Sequence, residues 1–178
     1  MMRLFSLIGG PLALPKFRRA AEGSAAVEFA LVAPMFIALL FAIIETGLMF
    51  YASQVLENGT QDTGRSFYLS EPVTAEKIKK DICDRVTPLL DCKKISLELQ
   101  SFAPGAAITL ADPIPGGKLA DKFVFVLPKL GTNETVVFRA FYVWPTYVTG
   151  LGYNITNVAN ANGEKGLLLA ATAAFRPQ

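Results

Sequence analysis

The spacing of apolar positions changes twice along this chain. From Phe29 to Ile44 sixteen residues run without a charge, and the apolar stretch continues to Ala52 with Glu45 as its single charged residue. Helical rise of ~1.5 Å per residue makes the stretch 29–52 roughly 36 Å long, enough to cross a bilayer. Beyond it the pattern becomes amphipathic. Leu48, Tyr51, Val55, Leu56, Gly59, Thr63 and Phe67 recur at three- and four-residue steps, and Ala52, Gly59, Thr60, Thr63 and Gly64 form a line of small residues beside them. One long helix is therefore predicted over 24–70, with Gly59 and Gly64 as the places where it would break, since each costs about 1 kcal/mol in a helix. The small line suits close packing, either on the chain's own sheet or on another subunit.

A second helix is predicted to start at Thr74, with that residue as N-cap and Glu76 in the first turn. Ile78, Ile82, Val86 and Leu89 make its apolar face, Lys77, Lys79, Lys80 and Asp84 lie opposite, and Pro88 ends it. From Ile95 the period falls to two. Ile95, Leu97 and Leu99 alternate with Ser96, Glu98 and Gln100; Phe123–Leu127, Val136–Trp144 and Leu167–Phe175 are further strand candidates between Pro-, Gly- and Asn-rich turns. The implied fold is α+β: a long N-terminal helix whose outer half packs on a small antiparallel sheet of about four strands. Residues 145–163, with Tyr147, Leu151, Tyr153 and Ile155 among glycines and asparagines, read as a long connection before the last strand or as a contact loop.

Charge adds an orientation. Residues 1–23 hold Arg3, Lys16, Arg18 and Arg19 against Glu22, a balance of +3, whereas residues 24–178 balance to −1. Basic residues flank only the N-terminal side of the apolar run, so the positive-inside rule places the N-terminus in the cytoplasm and the C-terminal bulk outside. A cleaved secretory signal fits poorly, because Gly9, Gly10, Pro11 and Pro15 interrupt the early apolar residues and the strong run comes later. A single-pass membrane protein with an outer domain over 71–178 is expected. The mean hydropathy of +0.38 agrees with a membrane segment.

Composition narrows the chemistry. There is no histidine, which removes imidazole-based nucleophile systems and imidazole metal sites. The nearest carboxylate pair, Asp81 and Asp84, shares its helix with lysines. No enzyme activity, catalytic residue, cofactor or metal is expected, and a net charge of +2 argues against a nucleic-acid partner. Cys83 and Cys92 fall in the segment placed outside the cytoplasm, where they form a disulfide or remain two buried thiols.

The junction Arg18-Arg19-Ala-Ala-Glu-Gly23-Ser24-Ala-Ala-Val-Glu28-Phe29 carries the most specific signal. A carboxylate at the threshold of lipid is costly, about 2.5–3.5 kcal/mol at mid-membrane, unless it has a partner. The order of basic cluster, glycine, acid and apolar run resembles a class III, prepilin-type leader junction. That resemblance implies a cut between Gly23 and Ser24 on the cytoplasmic face, with residues 1–23 as leader and Glu28 as the fifth residue of the product. The new amine at Ser24, with a reference pKa near ~7.7–8, then lies one helical turn from Glu28, in the same chain or in a staggered neighbour. Pro34 and Glu45 interrupt the apolar run. Pro34 removes one helical hydrogen bond and is expected to kink the helix. Glu45 either faces a partner or reaches the outer interface.

Gly23 to Pro34, followed by Ile43-Ile-Glu-Thr-Gly47, is similar to the TadE-like family, minor pilins or pseudopilins of the tight-adherence (Tad/Flp) system. The ending Ala171-Thr-Ala-Ala-Phe-Arg-Pro177 resembles that family's terminal strand, although its usual Arg-Asn-Glu-Pro is here Arg176-Pro177. Glu28-Phe29 replaces the Glu-Tyr of the much shorter major Flp pilins. The resemblance implies a prepilin-peptidase substrate that helps to initiate, cap or anchor an adhesive pilus. Its implied partners are the peptidase, companion minor pilins, the major Flp pilin, inner-membrane platform proteins and membrane lipid. The alternative is an unprocessed single-pass protein with a periplasmic binding domain.

Overall fold

A computed structural model of the chain describes residues 23–66, 74–87, 89–127, 133–146, 155–160 and 162–176. Two helices, α1 (Ser24–Ser66) and α2 (Ala75–Val86), precede strands β1 (Ser96–Phe102), β2 (Thr135–Pro145), β3 (Val158–Ala159) and β4 (Lys165–Phe175). This is an α+β arrangement with a four-stranded sheet of order β1-β2-β4-β3, antiparallel at every pairing. The chain divides into two compact units after Leu40.

The first unit contributes the opening of α1. From Ala25 to Leu40 no side chain is buried, and Phe29, Leu31 and Met35 are 74%, 71% and 78% exposed. The helix continues through Pro34. An apolar helix without a covered face has no internal reason to be apolar; it is long and apolar enough to cross a membrane.

The second unit begins at Phe41. Here one sheet face is covered by helices. Met49, Ala52 and Leu56 of α1 and Ile78, Ile82 and Val86 of α2 pack with Leu99, Val136, Phe138, Ala140, Tyr142, Leu169, Ala171 and Phe175. The buried face of α1 differs from the sequence expectation by about one residue. Leu48 and Tyr51 are exposed, whereas Met49, Ala52, Gly59, Thr60, Thr63 and Gly64 are buried with Leu56. The small line meets the protein's own domain together with Met49, Leu56 and the half-buried Val55, while Leu48 and Tyr51 face away. Gly59 and Gly64 do not break the helix. A Cβ on Gly59 would come within 2.9 Å of Val86 Cγ1, and one on Gly64 within 3.2 Å of Ala173 Cβ; the glycines let α2 and β4 approach.

The opposite sheet face carries a smaller cluster, Leu119, Phe141 and Val158 with Ile114, Phe123, Val143 and Leu168 around it. Phe123 stacks on Phe141 with ring centroids 4.9 Å apart. The segment after β1 reaches this face and then returns to the β1 edge, where Leu99 N–H donates to Val124 O and Val126 N–H to Leu99 O, both at 2.9 Å. Phe123–Leu127 is thus not the ladder strand its sequence suggests; it makes one parallel bridge, Phe125 with Leu99. The fourth strand is instead β3, two residues inside the stretch 145–163, pairing with Lys165 and Gly166.

The helix α2 starts where its cap signal predicts, with Thr74 Oγ1 accepting from Lys77 N–H at 3.3 Å. A disulfide joins Cys83 on α2 to Cys92, which opens a short 3-10 turn, with the Cα atoms 5.5 Å apart. Phe67 to Ser70 of the expected long helix, Pro88, and Tyr147, Leu151 and Tyr153 lie outside the described residues.

Candidate functional site: the entry of the apolar helix

The junction read from the sequence coincides with the start of α1. Gly23 stands immediately before the helix and is exposed; Ser24 is its first residue. The first turn, Ser24 to Val27, contains no acid, and Glu28 opens the second. Ser24 and Glu28 are therefore i and i+4, so that the backbone nitrogen of the first and the carboxylate of the second lie over the same helix face. The macrodipole falls off within the first turn, which leaves a charge partner as the larger influence on an acid at this position. Glu28 and Phe29 are both exposed, and Phe29 begins the uncovered apolar surface.

Pro34 is exposed within that surface. Glu45 belongs to the second unit, half-buried, one turn before Met49, the first residue of α1 that the core covers. Next to it, Thr46 Oγ1 donates to Ala42 O at 2.8 Å, satisfying a hydroxyl without a partner outside the helix.

The Asp81 and Asp84 carboxylates each meet a cation. Arg85 lies 3.6 Å from Asp81 and also reaches Asp62 of α1 at 3.2 Å. Lys80 bonds Asp84 at 2.9 Å, and that hydrogen bond and charge hold its ammonium above the ordinary lysine range. These are surface pairs joining and decorating the helices.

The sequence did not single out the buried polar pair of the sheet. Glu98 on β1 and Arg139 on β2 occupy paired positions and are 2% and 8% exposed. Arg139 donates to Glu98 through Nε and Nη2, donates further from Nη2 to Ala111 O at 3.0 Å, and lies 5.2 Å from the Phe141 ring centroid. Gln100 Nε2 donates to the other Glu98 oxygen at 2.6 Å. Opposite charges at polar positions of two alternating strands were the available signal, but only the strand register makes them neighbours. The network ties the segment containing Ala111 to the outer sheet face.

No curated protein and no solved structure matches this chain. Residues 23–65, running from the glycine before α1 to one residue short of the helix end, match the family model described as TadE-like protein.

Proposed function

We propose that this protein is a minor pilin or pseudopilin of a Tad pilus system. A prepilin peptidase removes residues 1–23, and the product waits in the bacterial inner membrane with its N-terminus cytoplasmic and its α+β domain periplasmic. It then takes part in pilus initiation, at the tip or at the base, beside companion minor pilins, the major Flp pilin and the platform proteins. Its role is structural rather than enzymatic.

The observation that carries this reading is the position of the TadE-like match, 23–65. It begins at the glycine of the leader junction and follows the whole uncovered apolar helix. A helix that is retained after processing serves twice, as an anchor in lipid and as the packing element of an assembly, because its apolar side chains are not used internally. Cleavage before Ser24 supplies a cation one turn from Glu28, which lowers the cost of taking that carboxylate out of water. N-terminal sequencing of the protein from native membranes tests the proposal. A mature terminus at Ser24 is expected; an intact Met1 terminus in cells with an active prepilin peptidase replaces the proposal by the unprocessed single-pass alternative.

A further inference from the structure

We infer that the β3-side edge of β4 at Ala170, Thr172 and Ala174, which no strand among the described residues covers, is a docking site for an extended, acidic segment of another protein chain. Along one side β4 pairs with β2 from Gly166 to Phe175. Along the other, β3 covers only Lys165 and Gly166. Asn157 closes that short ladder: its N–H donates to Gly166 O at 3.0 Å, and its Oδ1 accepts from Leu168 N–H at 2.9 Å. Gly166 and Leu168 thus direct their backbone groups to the β3 side. The two-residue period of a strand directs those of Ala170, Thr172 and Ala174 the same way, and among the described residues no strand pairs with them on that side.

Natural sheet edges are normally guarded by a lysine, a proline, a bulge or a covering element. The stretch Leu167–Phe175 contains no charge and no proline, and its register with β2 is continuous. Beside this edge lies an open groove of about 390 Å³, with Gln61, Gly64 and Arg65 of α1 on one side and Thr172 to Phe175 on the other. An added strand would gain main-chain bonds from the edge and place alternate side chains in the groove, the recognition mode of β-augmentation.

Charge selects the occupant. Arg65 is exposed and, unlike Arg85 and Arg139, has no ion pair among the described residues; among the described residues no carboxylate lines the groove. A carboxylate on the incoming strand can take the arginine bidentately. A second copy of β4 offers no such group, because Leu167–Phe175 holds no acid. The partner is therefore a different segment, extended and acidic. This site lies within the second unit and does not depend on processing at Gly23.

The test uses the full chain in detergent micelles and fluorescence anisotropy with two labelled octapeptides. One alternates valine and threonine around a central aspartate; the other has lysine in that place. The aspartate peptide is expected to bind at least tenfold more tightly, and Arg65→Glu to reverse the preference. Thr172→Pro, which removes one outward N–H without touching the β2 ladder, is expected to weaken both at least tenfold. N-methylation of alternate peptide amides is expected to do the same with unaltered protein, which covers the case in which Thr172→Pro misfolds. Equal binding of the two peptides, undiminished binding of the methylated peptide, or no binding at all overturns the proposal. So does concentration-dependent dimerisation that Thr172→Pro abolishes, since a second copy then holds the edge.

Discussion

Arg139 of β2 and Glu98 of β1 face each other across a paired register position, and Arg139 donates to one Glu98 oxygen from two of its nitrogens. With Gln100 on the second Glu98 oxygen and Ala111 O on Arg139, both charges are bonded on more than one side. A buried pair of this kind has little net worth, because desolvation offsets attraction, yet breaking it strands a charge. Glu98→Ala is expected to lose about 3–5 kcal/mol of stability. Glu98→Leu with Arg139→Met together is expected to lose far less than the two single changes added. Denaturant unfolding of wild type, Glu98→Ala, the two single changes and their combination in micelles checks this; additive losses contradict the pair.

A second expectation concerns helix crossing. A Cβ added at Gly59 would lie 2.9 Å from Val86 Cγ1 and 3.7 Å from Arg85 Cβ. Gly59→Ala gains about 1 kcal/mol of helix propensity but forces Val86 aside, and overpacking costs roughly 1–3 kcal/mol. The change is expected to destabilise the protein when Val86 is present and to stabilise it in a Val86→Ala background. A double-mutant cycle isolates that coupling, and a coupling near zero contradicts the close approach.

How much of this was legible beforehand follows from which forces are local. The start of α1, the Thr74 cap and the β2 and β4 strands were readable, because charge, capping and period-two alternation act within a few residues. Of the expected stripe on α1, Leu56, Gly59 and Thr63 are buried and Val55 packs on the core, whereas Leu48 and Tyr51 are exposed and Met49 and Ala52 take their place; near the uncovered apolar stretch large apolar residues lie all round the helix, so their spacing alone does not mark the covered side. Phe123–Leu127 has strand composition, but its pairing is decided by where the segment after β1 returns, a non-local matter. The strand β3 has two residues, too few to show a period. Glu98 and Arg139 stand 41 positions apart, and their contact depends on register.

The disulfide yields a third expectation. Cys83 and Cys92 are nine positions apart and join α2 to the turn leading into β1. Closing a loop of this size stabilises by about 3 kcal/mol on chain-entropy grounds. Replacing both cysteines with serine is expected to lower the unfolding free energy by about that amount, while the untreated protein resists thiol labelling until it is reduced. Immediate labelling of both thiols in native, unreduced material contradicts the bridge.

The last expectation separates cutting from assembly at the head of α1. Gly23 precedes the helix and Ser24 begins it; peptidase recognition on the proposed reading depends on that junction, whereas Glu28 acts only once an amine has been released one turn away. Gly23→Ala is expected to leave most of the protein full-length. Glu28→Ala is expected to be cut normally and yet to give few pili, because the released amine loses its carboxylate while the apolar surface from Phe29 onward stays intact. Glu28→Asp keeps the charge on a shorter arm and is expected to fall between wild type and alanine. Immunoblots of leader removal and counts of pili per cell read the two steps separately. Normal pilus numbers with Glu28→Ala would remove the charge-pairing account while leaving the processing account standing, and efficient cutting of Gly23→Ala would remove the Gly23 junction and with it the released amine on which the pairing depends.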